Sequence, residues 1–281
     1  MLVCQGRAAA DGRIAPEWFH DPVAVELLRA DERVPVQQVR EGAPPRAWAD
    51  RMTYESVRAG ACIMAARTVA IDQALAGRVL PQLVVLGAGL DDRAWRMTEL
   101  ADVDVYEVDH PDSQRDKRQR IGERVPVCQS LRLLAVDFAR DPLADRLAAA
   151  GHDAAVPTAW LWEGVVPYLT RAQVGDTLRT LGTRSAPGSR LVVAYQAPSL
   201  RASLGMVAAR LMTTVARQRN VWADEPRRSS WTADSMRELL AGHGFTVASD
   251  EDLLTVADRI GAAATHHRSA ASGRVAVADR S

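Results

Sequence analysis

The sequence predicts an α/β chain of the doubly wound kind, a seven-stranded, mostly parallel sheet with helices on both faces. Three observations predict it. Leu83 to Asp92 (LVVLGAGLDD) is an apolar strand that stops at Gly87-Ala88-Gly89, a turn that needs residues without a bulky Cβ. Val103 to Val108 is a second strand, and it delivers a carboxylate, Asp109, twenty residues after Gly89. From Pro81 onward, short apolar runs alternate with helical patterns.

Residues 1 to 80 read as an N-terminal helical cap on a core spanning 81 to 281, the two forming one structural unit. In the cap, Asp21 is a candidate N-cap and Pro22 a first helical residue for a helix running to Leu28. A longer helix covers Tyr54 to Leu75, where Val57, Ala61, Met64, Ala65, Thr68, Ile71 and Leu75 recur at helical spacing and Gly77 stops the run. In the core, strands are expected at 83–86, 103–108, 131–136, 158–162, 190–195, 245–249 and 274–278. Helices at 112–122, 141–150, 171–185 and 233–242 fit between them. Such alternation implies parallel strands joined by right-handed crossovers. The last two strands are separated by a polar, alanine-rich stretch, so the final strand is expected to insert differently. Residues 199–230, with Met206, Met212 and Trp222, carry no clear strand and are expected to form a helical insert over the carboxyl ends of the strands.

At 281 residues and 47% hydrophobic composition, the chain is long enough to bury a substantial core. Its formal net charge is zero, from 35 basic and 35 acidic side chains, which argues against a nucleic-acid partner. Only one basic side chain, Lys117, is a lysine, so single arginines carry little weight by themselves. Cys4, Cys62 and Cys128 show neither disulfide nor zinc spacing. The opening MLVCQGRAAADGR has no long apolar run, and no window approaches eighteen uninterrupted apolar residues. A cytoplasmic protein with no membrane partner is the expectation, with monomer and homodimer both open.

The glycine turn followed by an acid is how doubly wound proteins hold an adenosine, the acid accepting hydrogen bonds from ribose hydroxyls. A dinucleotide-binding pattern would place a third glycine at position 92, where this chain has Asp92. That small residue lets the helix pack close beneath a pyrophosphate. S-adenosylmethionine has no phosphate and does not require it, so the turn favours that cofactor over NAD. An NAD-dependent oxidoreductase is the first rival reading, and no Tyr-x-x-x-Lys pair supports it. The second is a non-catalytic scaffold of the same fold, which would not need charged groups at several strand ends.

LVVLGAGLDDRAWRM, VYEVDHPDSQRDKR and TAWLWEGVVPYLT resemble the three signature stretches of the leucine carboxyl methyltransferase family, and AARTVAIDQAL resembles its Arg-bearing helix. The resemblance spans about residues 18 to 195, with a weaker echo in WTADSMRELLAGHGF. It implies a Rossmann-like class I methyltransferase fold and an S-adenosylmethionine-dependent O-methyltransferase acting on a small molecule, a polyketide or other secondary metabolite.

The resemblance also implies site residues. Arg67 would pair with the methionine carboxylate, as a bidentate guanidinium can. Gly87, Ala88 and Gly89 would line the amino-acid end, and Asp109, followed by His110, the ribose. Asp137 and Phe138 would sit at the adenine. Glu163, with Gly164 after it, would lie near the ammonium and the reacting end. Tyr168 would close over that region. His20 is a candidate by position alone: beside Asp21 in the cap it could face the substrate, and it also reads as a satisfied or solvated histidine. Tyr168 and His20 are the catalytic candidates. Asp91, Asp92, Arg93 and Arg96 are expected to form a structural salt-bridge set. Asp109 has a second reading as a strand-end N-cap for the helix near Pro111, and His110 one as a helix cap. His243 sits in a glycine-flanked turn, and His266 and His267 lack metal-ligand spacing, so no metal is expected. Trp18, Phe19, Tyr54, Met206 and Trp222 read equally as substrate wall or core.

Overall fold

A computed structural model describes residues 1–138, 140–198, 228–262 and 272–281. Of the expected insert over 199–230, residues 199–227, with Met206, Met212 and Trp222, lie outside the described residues, as do His266 and His267. The sheet has seven strands: β1 (Gln82–Leu86), β2 (Asp104–Asp109), β3 (Ser130–Ala135), β4 (Thr158–Trp162), β5 (Arg190–Gln196), β6 (Phe245–Asp252) and β7 (Gly273–Arg280). Each corresponds to a strand expected from the sequence.

Strand order is β3-β2-β1-β4-β5-β7-β6. The first five strands pair in parallel, and β7 runs antiparallel between β5 and β6, the different insertion foreseen for the last strand. β1 is buried along its whole length because helices cover both faces, which is why it reads as an unbroken apolar run. Its Val84 is in register with Tyr106 of β2 and Trp160 of β4, both fully buried. The chain order reverses between β1 and β4. The crevice outside their carboxyl ends is where open α/β sheets bind ligands.

Core helices follow the expected pattern: α4 (Arg93–Arg96), α5 (Pro111–Ile121), α6 (Leu143–Ala149), α7 (Arg171–Thr183) and α8 (Ala233–Ala241). Threonines cap two of them: Thr170 accepts from the Gln173 N–H and Thr232 from the Ser235 N–H. α9 (Leu253–Arg259) fills part of the stretch that reads as a polar spacer before β7.

The cap differs more from expectation. It consists of α1 (Leu2–Ala10), α2 (Ala30–Glu41) and α3 (Trp48–Ala76), the last longer than the expected 54–75 helix and ended by Gly77 as foreseen. Small residues let α1 approach α3 closely: a Cβ on Gly6 would stand 2.7 Å from Met64 Cγ. The helix expected from Asp21 to Leu28 is instead a series of turns. Asp21 Oδ1 does accept from the Ala24 N–H at 3.0 Å, so the capping interaction forms. The helix does not propagate because the segment's other partners lie outside it. Asp21 pairs with Arg7, and the Leu27 and Leu28 carbonyls accept from Arg120 and Arg33. An isolated helix this short has little intrinsic stability, and tertiary partners decide its path.

Candidate active site

The glycine turn sits at the carboxyl end of β1. Gly87 (φ +67°) and Gly89 (φ +50°) both adopt left-handed backbone. A Cβ on Gly87 would also stand 2.1 Å from Val165 Cγ2, so two constraints require glycine there. The Gly87 and Ala88 N–H groups donate to the Val108 carbonyl at 2.8 and 3.1 Å. Asp109 Oδ2 accepts from the Gly89 N–H at 2.6 Å and its Oδ1 from the His110 N–H at 2.6 Å. The acid therefore pins the turn from the neighbouring strand, and each carboxylate oxygen keeps a second acceptor site. The helix-capping role belongs to His110, not Asp109. His110 Nδ1 accepts from the Asp112 N–H at 3.3 Å, and Pro111 occupies the first turn of α5.

Glu163 follows β4 directly, across the crevice from the turn. Its carboxylate lies 2.7 Å from the Arg67 guanidinium, carried on α3, and 3.1 Å from that of Arg93 on α4. Burial alone would raise its pKa, but Arg67 and then Arg93 overcome this and hold it at about 2. The contact with Arg67 is close but not aligned. Arg67 Nε and Nη2 and Glu163 Oε1 are buried, yet none makes a hydrogen bond. Buried charged donors and acceptors in that state are costly, and a ligand with one anionic and one cationic group would satisfy both.

Behind this pair runs a chain of buried charges. Arg93 Nε reaches Asp72 at 2.7 Å and its Nη1 pairs with Asp91; Arg96 reaches Asp72 at 2.7 Å and Asp92 at 2.9 Å. Arg7, from α1, reaches Asp92 at 3.1 Å and Asp21 at 3.2 Å. The set expected from Asp91, Asp92, Arg93 and Arg96 is thus present and extends into the cap. Arg7, Arg67, Arg93 and Arg96 face Asp21, Asp72, Asp91, Asp92 and Glu163, one carboxylate in excess. The excess falls on Asp21, whose pKa is raised to about 7 by burial and by Asp92 beside it. Asp92 itself is held well below the usual range: burial opposes this, but Arg7 and Arg96 prevail.

A family model for leucine carboxyl methyltransferase matches residues 1–182. The chain belongs to the leucine carboxyl methyltransferase family. Relatives named as candidate S-adenosyl-L-methionine-dependent methyltransferases include one from Mycobacteroides abscessus, 37% identical over 60% of this chain and 61% of its own length. Another, from Mycolicibacterium vanbaalenii, is 31% identical over 88% of this chain and 81% of its own length. In three relatives, the Mycobacteroides one above and two more, the match spans only 39% to 65% of the relative's length. Among solved structures, a DUF574 family protein from Streptomyces avermitilis shares the fold with a TM-score of 0.56 at 14% identity, covering 85% of this chain and 94% of that one.

Within this family member, the remaining expected residues are placed as follows. Asp137 follows β3 and opens a turn, its N–H donating to Asp141 Oδ2 at 2.9 Å and its carboxylate 3.6 Å from Arg140. Phe138, next to it, leaves 37% of its surface exposed. Gly164 (φ +71°) turns the chain after Glu163 into a single 3-10 turn, Val166–Tyr168, where Tyr168 is also 37% exposed. His20 is not brought to this group: its ring is 77% exposed and lies 3.2 Å from Asp11 at the end of α1. Phe19 and Tyr54 are core residues, and Trp18 is exposed. Sequence reasoning missed Arg7, which carries no local signal, and the buried Lys117–Glu107 pair, whose only signal was that Lys117 is the sole lysine.

Proposed function

We propose that the protein transfers a methyl group from S-adenosylmethionine to an oxygen of a small-molecule acceptor, a carboxylate or hydroxyl, releasing S-adenosylhomocysteine. The observation that carries this reading is the buried, unaligned Arg67–Glu163 pair at the crevice beside the glycine turn. It supports an amino-acid end in which Arg67 grips the carboxylate and Glu163 Oε1 takes the ammonium. The unused acceptor sites of Asp109 suit the ribose hydroxyls, with His110 fixing the helix start next to them. Asp137 suits the adenine amino group, and Phe138 gives an apolar face for the base. Gly87 and Gly89 keep the backbone bare where the cofactor approaches.

When bound, S-adenosylmethionine supplies a methyl group on a positively charged sulfur, which an in-line nucleophile displaces. The chain's task is to align the acceptor and exclude water, an effect worth roughly 7–11 kcal/mol of barrier. Tyr168, partly exposed in the 3-10 turn that follows Glu163, would wall the reacting end. A carboxylate acceptor is already anionic near neutral pH and needs no general base. The sequence carries no obvious base motif, which favours a carboxylate or acidic hydroxyl, and a polyketide or related secondary metabolite is the acceptor class that the family resemblance implies. The NAD reading is opposed by Asp92, a fully buried carboxylate where a pyrophosphate site requires a glycine.

Isothermal titration with S-adenosylhomocysteine and with NAD tests this. Heat with the former and none with the latter is expected, and Arg67→Ala should weaken the binding at least tenfold. No heat with S-adenosylhomocysteine overturns the proposal.

A further inference from the structure

Lys117 is the only lysine in a chain whose other basic residues are all arginine, and it is fully buried on α5. Its ammonium pairs with Glu107, which precedes Asp109 by two residues and so shares its face of β2. The same Nζ donates to the carbonyl of Asp91 at 2.6 Å and lies 5.2 Å from the centre of the Trp95 ring. We propose that Lys117 is a positioning residue for the cofactor site, tying the far end of the glycine turn to the strand that carries Asp109. This rests on the reading of the site given above.

The turn is held at two ends. Its first residues hang from β2 through Val108 and Asp109. Its last, Asp91, closes back on the Ala88 carbonyl at 2.7 Å and sends its carboxylate to Arg93, which in turn holds Glu163. The Asp91 peptide therefore links the turn to the Arg93–Glu163 clamp, and Lys117 is the group that fastens that peptide from below. An ammonium suits the place: it is a compact charge with three donors, for Glu107, the Asp91 carbonyl and the face of an indole. A guanidinium is a wide planar fork that cannot direct its donors in three directions from one atom. In an arginine-dominated chain, the exception falls where that difference matters.

Two substitutions separate positioning from stability. Lys117→Met removes the donor to Asp91; Glu107→Gln removes the charge of the partner but keeps an amide oxygen that accepts from Lys117, so the tie to β2 remains. Burial already pushes Glu107 up to about 7, so it can take a proton when the ammonium is gone, and Glu107→Gln/Lys117→Met provides a neutral pair of similar volume should Lys117→Met fail to fold. Titration with S-adenosylhomocysteine well below each melting temperature is the readout. The expected result is an affinity reduced about tenfold in Lys117→Met and in the double variant, and within about twofold of wild type in Glu107→Gln, though all three melt lower. Affinity unchanged in the lysine variants, or reduced equally in all three, overturns the role of Lys117. Absence of binding in the wild type overturns instead the reading of the site.

Discussion

Replacing Glu163 by glutamine preserves the side chain's volume and removes its charge from between two guanidinium groups. The carboxyl is held at about 2 against an ordinary 4.5, and it is nearly buried, at 11% side-chain exposure. Each unit of such a difference is worth ~1.36 kcal/mol, so the arginines favour the ionised form by about 3 kcal/mol. The cost of breaking a buried ion pair by removing one partner is of similar size, ~3–5 kcal/mol. A folded-state pKa below the unfolded one contributes stability that is complete above the unfolded value and lost as pH falls through the folded value. Glu163→Gln should therefore cost about 3 kcal/mol near pH 7, and the gap to wild type should close between about pH 5 and about pH 2. Urea unfolding of both proteins across that range measures it. Taking the difference matters because Asp21 slopes the other way in the wild type: its raised pKa adds stability below the unfolded value that is lost as pH rises toward about 7. A variant-to-wild-type difference that stays constant across the acid range refutes the clamp.

Gly87→Ala should lower stability by about 1–2 kcal/mol for the left-handed backbone and another ~1–3 kcal/mol for the methyl group against Val165. Adding Val165→Ala should recover only the second part, as read by denaturant midpoints. Asp21→Asn removes the excess carboxylate, so the variant should gain stability relative to wild type as pH rises from about 4 to about 7. A pH-stability profile parallel to wild type would show that Asp21 does not hold the proton.

The sheet was legible because its strands are buried on both faces and announce themselves as apolar runs bounded by turn residues. LVVL and TAWLW end within a residue of β1 and β4. The acids at the strand ends were legible for a related reason: a carboxylate closing an apolar run has no packing purpose. The cap was not legible in the same way. α1 is a short run of mostly small residues, and α2 carries Pro35 in its interior, so neither was singled out as a helix from the sequence. The turns at 21–28 and the course of α1 depend on Arg7 and Arg120 meeting partners outside their own elements, and on Arg33 reaching back to Leu28. In a chain with so many arginines, nothing local distinguishes those three from solvated ones. Lys117 was visible as an oddity, but Glu107 is its partner only because α5 folds back over β2.

The charges that seat the cap and the charges that shape the site form one connected set. Arg7 meets Asp92, Asp92 meets Arg96, Arg96 shares Asp72 with Arg93, and Arg93 holds Glu163 opposite Arg67. Buried ion pairs of this kind contribute little net stability compared with apolar packing. An apolar cap interface would hold α1 and α3 against the core as well, but it would leave no guanidinium at the crevice with donors unused. Position 92 shows the consequence. Where a dinucleotide fold keeps a glycine so that a helix can approach a pyrophosphate, this chain places a buried carboxylate that receives Arg7 and Arg96. Docking the cap and disfavouring a phosphate at the turn are then the same structural choice, which agrees with the proposed cofactor, whose charged end is an amino acid.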